Sequence, residues 1–480
     1  MSCGRLSAAL PFADDTGRSD EWLGKVGVRR LHGQDFTYWF MHRAFGWSVV
    51  LQLVWTFPRA VSRSDLDAVN AALGAGPLNR RVTRASVMTA RPRWGHAPAV
   101  PDVICDTRPI ANDGVEAWAA EELDTVPLDP EHGATYRLRA VPTEDGGCVV
   151  SLTALHLVTD GKGLVTAAAD ALAGRATPDT LGIDPGPSPR TVVADTGDAV
   201  AGVVSAGTGI ATAAGALIRT AVTGRSRRAL PVTGAEPSRR RRPRTPIRDR
   251  SPRAQTTWAI VSVPAAEFAA VAQRHGGTVN TLFIALITGA LRSASPTGPG
   301  EHLKVGIPVD QRGIDDDRAN ATAGVSVLVP GSLRAGDDLG SLRQDCKHAY
   351  SALTAGERAM IVHLQPALRL LPLSVVVAAV TSGDGMPDVM TSNIGSYPGD
   401  VATLAGMQAT GMAFRGDAIG VDPGGPHRFG DGLQAWLLQA GDTVTISVAA
   451  FDESAFADGA ALRSGLAAEL DRWGVLHRIW

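Results

Sequence analysis

Apolar positions along this chain follow two alternating periods, and the switches between them mark out its elements. Residues 48–57, 136–141 and 148–155 are apolar runs rich in β-branched side chains, which predicts strands. Asp145-Gly146-Gly147 lies between the last two and predicts the turn of a hairpin. Helical spacing takes over in between. Leu66, Val69 and Leu73 recur behind Ser64, a residue able to cap a helix, and Leu164, Val165, Ala168 and Leu172 form one stripe of a helix over 161–174. The second half repeats the style, with a strand at 257–263, helices at 265–275 and 279–292, and strands at 304–309 and 325–329. A helix through Leu342 and Tyr350, strands near Val389, Trp436 and at 444–449, and a closing helix carrying Leu462, Leu466 and Leu470 complete it. Two α/β halves of similar content predict a pseudo-dimer with a cleft between them.

The region between the halves breaks the pattern. Residues 199–218 carry no charge and are built mostly of Ala, Gly, Ser, Thr and Val, and arginines follow at 225, 227, 228, 239 to 242, 244, 248, 250 and 253. Four glycines and few large side chains argue against a membrane-spanning helix. The expected division is a first half over 1–185, a crossover over 186–254 and a second half over 255–480. The preferred reading of the crossover is a surface helix followed by a mobile Pro- and Arg-rich tract. The alternative is peripheral contact with a membrane or an anionic ligand. Nucleic-acid binding is the weakest reading, because no aromatics interleave the arginines.

Composition narrows the classes further. A chain of 480 residues fits two ordinary domains, and 44% hydrophobic with 20% charged residues describes a globular protein. A formal net charge of −2 and a pI near 6.6 give no electrostatic case for nucleic acid. Cys3, Cys105, Cys148 and Cys346 have neither zinc-site spacing nor disulfide density, so a reducing compartment and a cytoplasmic location are expected. Asp14-Asp15 interrupt the N-terminal stretch, which does not read as a signal peptide.

The residues with the most chemical content are His156-Leu157-Val158-Thr159-Asp160-Gly161-Lys162, placed where a buried strand gives way to a helix. A neutral imidazole with a pKa of about 6.5 can take a proton from a hydroxyl or an amine near neutral pH. A histidine that merely finishes a strand, its ring satisfied by a carbonyl, fits the same pattern. Asp315-Asp316-Asp317 reads as a solvated loop rather than a cation site, and Gly207 and Gly209 as a flexible stretch rather than a dinucleotide fingerprint. The chain has no Walker loop, no paired-histidine zinc helix and no Gly-x-Ser-x-Gly elbow.

The His-x-x-x-Asp-Gly pattern resembles that of the acyl-thioester-dependent acyltransferases: chloramphenicol acetyltransferases, peptide-synthetase condensation domains, polyketide-associated acyltransferases and bacterial wax ester synthase/diacylglycerol acyltransferases. Further stretches resemble the last group in order along the chain. They are Thr245-Pro246-Ile247 leading into 258–264, Thr278-Val279-Asn280-Thr281 with its following helix, Ile307-Pro308-Val309-Asp310-Gln311-Arg312, and Thr391-Ser392-Asn393-Ile394-Gly395 with Pro398. The resemblance implies two chloramphenicol-acetyltransferase-like subdomains and His156 as general base. It implies Asp160 and Gly161 as structural residues, with Arg312 paired in bidentate fashion to Asp160. Ser392, Asn393 and Asn280 become candidates for oxyanion stabilisation or substrate positioning. The implied donor is an acyl-CoA or acyl-carrier protein and the acceptor a hydroxyl, with no bound cofactor or metal. Three departures stand out: Leu155 replaces the first of two adjacent histidines, Thr281 replaces an aspartate after Asn280, and a Pro-Leu-Trp segment is missing. An amide-forming condensation enzyme and a degenerate carrier- or lipid-binding member are the rival readings.

Overall fold

The structure is a computed structural model that describes residues 29–176, 178–179, 188–222, 256–294, 301–313, 316, 318–355, 387–420, 432–451 and 455–480. The arginine tract after residue 222, Asp315, Asp317 and the 245–247 segment lie outside the described residues, as do residues 186–187 and 223–254 of the expected crossover.

The first half runs α1 (Gly33–Phe45), β1 (Ser48–Phe57), α2 (Arg63–Ala75), β2 (Arg80–Thr83), β3 (Arg93–His96), β4 (Ile104–Cys105), α3 (Val115–Thr125), β5 (Tyr136–Pro142), β6 (Cys148–Leu155), α4 (Gly161–Leu172) and the long α5 (Pro189–Val222). The second runs β7 (Thr257–Pro264), α6 (Ala265–Arg274), α7 (Val279–Ala294), β8 (Leu303–Asp310), β9 (Thr322–Val329), α8 (Gly340–Thr354), β10 (Val389–Tyr397), β11 (Thr403–Leu404), β12 (Met407–Gln408), β13 (Gly411–Ile419), β14 (Leu433–Ala440), β15 (Thr443–Ala450), α9 (Gly459–Arg472) and β16 (Arg478–Ile479).

These form a mixed α/β fold around two large sheets, of order β13-β1-β6-β5-β4 and β16-β7-β15-β14-β10-β8-β9. The predicted hairpin is β5–β6, antiparallel from Tyr136↔Ala154 to Pro142↔Cys148. β6 is buried at every position, the polar Ser151 and Thr153 included, and carries no charged residue. The stripe of α4 buries Leu164, Val165 and Ala168 in the same core as Leu66 and Leu73 of α2. The cap of α2 is Ser62, not Ser64. Its side chain accepts from Asp65 N at 3.1 Å, the three-residue reach of a capping oxygen, while Ser64 already lies in the first turn.

One strand does not respect the expected boundary at 255. β13 pairs antiparallel with β1 over nine residues, from Ser48↔Ile419 to Thr56↔Gly411, so the second half supplies an edge of the first sheet. α3 ties the halves from the other side, where Glu116 accepts from Ile260 N at 3.1 Å and pairs with Arg463 at 2.8 Å. The uncharged 199–218 stretch lies within α5. That helix docks through Asp195 to Arg30 at 2.7 Å and through Asp198 to Arg91 at 2.8 Å. Its opposite face exposes Val193, Val200, Val203 and Val204. No helix among the described residues is long and apolar enough to cross a membrane.

Candidate functional site

β6 delivers His156 one residue past its last strand position. The backbone N–H of His156 still donates to Val49 O at 2.8 Å, so the ladder with β1 fixes its Cα. The imidazole stacks on Tyr38 of α1 with ring centroids 4.2 Å apart and planes at 21°. Its Nε2 lies 3.1 Å from Tyr38 Oη, and its Nδ1 lies 2.9 Å from Asn320 Oδ1. Asn320 stands just ahead of β9, so the site draws on both halves.

The surroundings of Asn320 decide the tautomer. Asn320 Nδ2 donates to Asp35 Oδ1 at 2.9 Å and to Leu157 O at 3.1 Å, and neither partner can donate as an ionised carboxylate or a carbonyl. The amide oxygen is therefore the atom facing His156, and His156 Nδ1 carries the hydrogen that it accepts. Nε2 is left with a lone pair, to which Tyr38 donates. Burial pushes His156 below the ordinary imidazole range, offset in part by hydrogen bonding and by the nearby charge of Asp160.

Asp35 is fully buried in the first turn of α1, and its Oδ2 accepts from His32 N at 3.0 Å. Burial raises its pKa, while the hydrogen bonds from Asn320 and His32 pull it back. Asp160 is also buried, as the N-cap of α4, where Oδ1 accepts from Gly163 N at 2.8 Å. Its Oδ2 accepts from Arg312 Nη2 at 2.6 Å and from Ala321 N at 3.1 Å, and its own N–H donates to Ala319 O at 3.1 Å. The expected Asp160–Arg312 pair is thus formed, but one guanidinium nitrogen makes it rather than two. Arg312 Nη1 instead donates to Asp316 O at 3.2 Å and Arg318 O at 2.6 Å, so backbone carbonyls claim the second nitrogen of the guanidinium. The clamp therefore holds the loop that carries Asn320. Asp316 pairs with Arg318, which lowers its pKa to about 2.

Gly161 is required for close approach. A Cβ there would lie 2.9 Å from Ile394 Cδ1 and 3.2 Å from Phe414 Cζ, side chains of β10 and β13. The Ser392-Asn393 segment lies in β10 beside this contact, with a register shift between Asn393 and Gly395 where Gly395 adopts φ +120°. Asn393 is exposed and its Oδ1 accepts from Gly395 N at 3.1 Å, while Ser392 is half-buried; neither bonds to His156. Tyr397 donates to Ile394 O at 3.1 Å, and burial together with the charges of Asp160 and Asp310 pushes its pKa up to about 12. Asn280 is placed apart from this cluster. Its Nδ2 donates to Tyr350 Oη at 2.8 Å beside a pocket of about 640 Å³ between α7 and α8, and the helix start is held by Thr278 and Thr281 instead. Tyr38, Asp35 and Asn320 are site residues that the sequence pattern did not single out. The His32-x-x-Asp35 spacing of a capping box was the signal available for one of them. Among the described residues no cluster of three or more His, Cys, Asp or Glu could hold a metal ion.

No protein-family model matches the chain, and no curated protein matches it. Solved structures do. The wax ester synthase/diacylglycerol acyltransferase of Marinobacter aquaeolei VT8 is 15% identical with a TM-score of 0.55, over 93% of this chain and 100% of that one. The polyketide synthase associated protein 5 of Mycobacterium tuberculosis is 16% identical with a TM-score of 0.51, over 92% and 97%. The condensation domain of the monacolin K polyketide synthase MokA is 13% identical with a TM-score of 0.55, over 93% and 96%. The chain therefore has, along nearly its whole length, the two-sheet chloramphenicol-acetyltransferase-like fold of condensation domains.

Proposed function

We propose that the protein is an acyltransferase that moves an acyl group from a thioester, carried by CoA or an acyl-carrier protein, to a hydroxyl acceptor. The observation that carries this reading is the Nε2 lone pair of His156 facing a hydroxyl at 3.1 Å, with the opposite ring nitrogen held as N–H by Asn320. Tyr38 Oη occupies the position that an acceptor oxygen needs, and its rotation about the side chain would vacate it. His156 Nε2 takes the acceptor proton as the acceptor oxygen bonds to the thioester carbonyl carbon. The tetrahedral oxyanion collapses by breaking the C–S bond, and the departing thiolate takes the proton from Nε2. The products are an ester and a free thiol, and His156 returns neutral. Backbone N–H groups and Ser392 near the cleft are the candidates to stabilise the oxyanion, a role typically worth about 2.7–4 kcal/mol per donor.

The fold shared with condensation domains admits a second reading, amide formation with an amine acceptor. The exposed valines of α5, followed in sequence by the arginine tract, fit peripheral contact with an anionic membrane surface on the cytoplasmic side. Thiol release from a panel of acyl-CoAs, with alcohol and amine acceptors offered separately and products identified by mass spectrometry, tests the reading. Ester products support it. Amide products alone establish the second reading, and no acceptor-dependent thiol release with either class refutes both.

A further inference from the structure

We infer that Asp35 is a positioning residue that selects the catalytic tautomer of His156 through the Asn320 amide, an inference that rests on His156 being the base. Asp35, Asn320, His156 and Tyr38 form one chain of hydrogen bonds in which every donor points towards Asp35. Tyr38 Oη donates to His156 Nε2, His156 Nδ1 donates to Asn320 Oδ1, and Asn320 Nδ2 donates to Asp35 Oδ1. The amide NH2 has no spare donor, since its second hydrogen goes to Leu157 O and Asn320 is itself buried. Its orientation is thus set by its acceptors, and Asp35 is the acceptor whose character a substitution can invert.

Asp35 must accept twice. Its Oδ2 faces His32 N, a backbone donor at the start of α1 that cannot turn round, and its Oδ1 faces Asn320. Only a group with two acceptor oxygens satisfies both. In Asp35→Asn the single oxygen goes to His32 N, and the new Nδ2 then confronts Asn320 Nδ2, donor against donor. The side chain of Asn320 relieves this by turning over, which presents Nδ2 to His156 Nδ1 and moves the imidazole hydrogen to Nε2. Leu157 O resists the turn by losing its donor, so the variant populates both states. An imidazole protonated at Nε2 offers the acceptor no lone pair, and turnover falls with the population lost. A carboxylate bonded through an intervening amide thus does what a directly bonded aspartate does elsewhere in holding an imidazole.

The test is the ¹⁵N spectrum of the full-length protein labelled in histidine, with the His156 signals assigned by their loss in His156→Ala. The wild type is expected to show Nδ1–H. Asp35→Asn is expected to show Nε2–H in a substantial fraction and a turnover at least tenfold lower. Asp35→Asn combined with Asn320→Asp restores an acceptor to Nδ1 and a donor at residue 35. It is expected to return the Nδ1–H signal and at least part of the turnover, a rescue that a merely structural role for Asp35 would not give. Asp35→Asn that folds and keeps His156 wholly as Nδ1–H overturns the inference. The spectrum reads the tautomer whatever His156 does in catalysis, so loss of turnover in His156→Ala judges the base and the ¹⁵N signals judge Asp35.

Discussion

Two buried aspartates flank His156, and they are compensated in opposite ways. Asp160 meets a cation, Arg312 at 2.6 Å, and two backbone N–H groups as well. Asp35 has only an amide and a backbone N–H within hydrogen-bond reach among the described residues. A carboxylate neutralised by arginine is an anchor: it holds the 319–321 backbone and caps α4, and its charge is spent there. A carboxylate held only by neutral donors keeps an acceptor demand that passes along the hydrogen-bond chain to the imidazole. Position next to the histidine in sequence marks the anchor, and position next to it through Asn320 marks the orienting group.

Breaking the anchor should have the largest effect on stability. Asp160→Ala strands the guanidinium of Arg312, whose side chain is 18% exposed, and removes a helix cap, so a loss of about 3–5 kcal/mol is expected in urea unfolding. Asp35→Asn, which strands no cation, should cost clearly less in the same measurement, and equal losses would erase the distinction. Gly161→Ala comes next. The new methyl meets Ile394 and Phe414, and overpacking of this kind costs about 1–3 kcal/mol while disturbing the loop between His156 and the helix cap Asp160.

The pH dependence is a smaller effect with a defined sign. Burial lowers the pKa of His156 in the folded protein, so the unfolded chain takes up the proton first as pH falls below about 6.5. This contribution to stability is complete above that pH and is lost as pH falls from it to the lower folded-state pKa. The slope should be at most about 1.4 kcal/mol per pH unit, visible as wild type minus His156→Ala. The acid limb of turnover should likewise fall below pH 6.5, and a limb above it would mean that Asp160 or Asp35 dominates burial. The smallest expected effect is that of Tyr38→Phe. The ring still stacks while Nε2 is freed, so turnover should stay within about tenfold of wild type; a loss of 10² or more would make the Tyr38 hydroxyl part of the chemistry.

Most strands and the core-facing helices were legible because their faces are apolar at a single period. β6 and α4, which carry the motif, lie where that period put them. β13 was illegible for a physical reason. Arg415 and Asp417 are both buried in it, and their charges break the alternation that marks a strand. Arg415 lies over the ring of Trp258 at 4.0 Å, and burial lowers its pKa to about 10, an arrangement that only tertiary contact reveals. α1 was missed because its aromatic residues, Phe36, Tyr38, Trp39 and Phe40, are weaker helix formers than the straight-chain residues. With it went Asp35 and Tyr38. Asn320 sits 164 residues from His156, and nothing in its local sequence announces that its amide will meet an imidazole.

The most direct measurement is turnover of His156→Ala with an acyl thioester and its acceptor, with chemistry shown to be rate-limiting and folding checked by urea unfolding. A folded variant slower by a factor of about 10²–10⁴ is the result expected of a lost general base. Wild-type turnover in that variant would contradict the assignment of His156 and the acyl-transfer mechanism built on it.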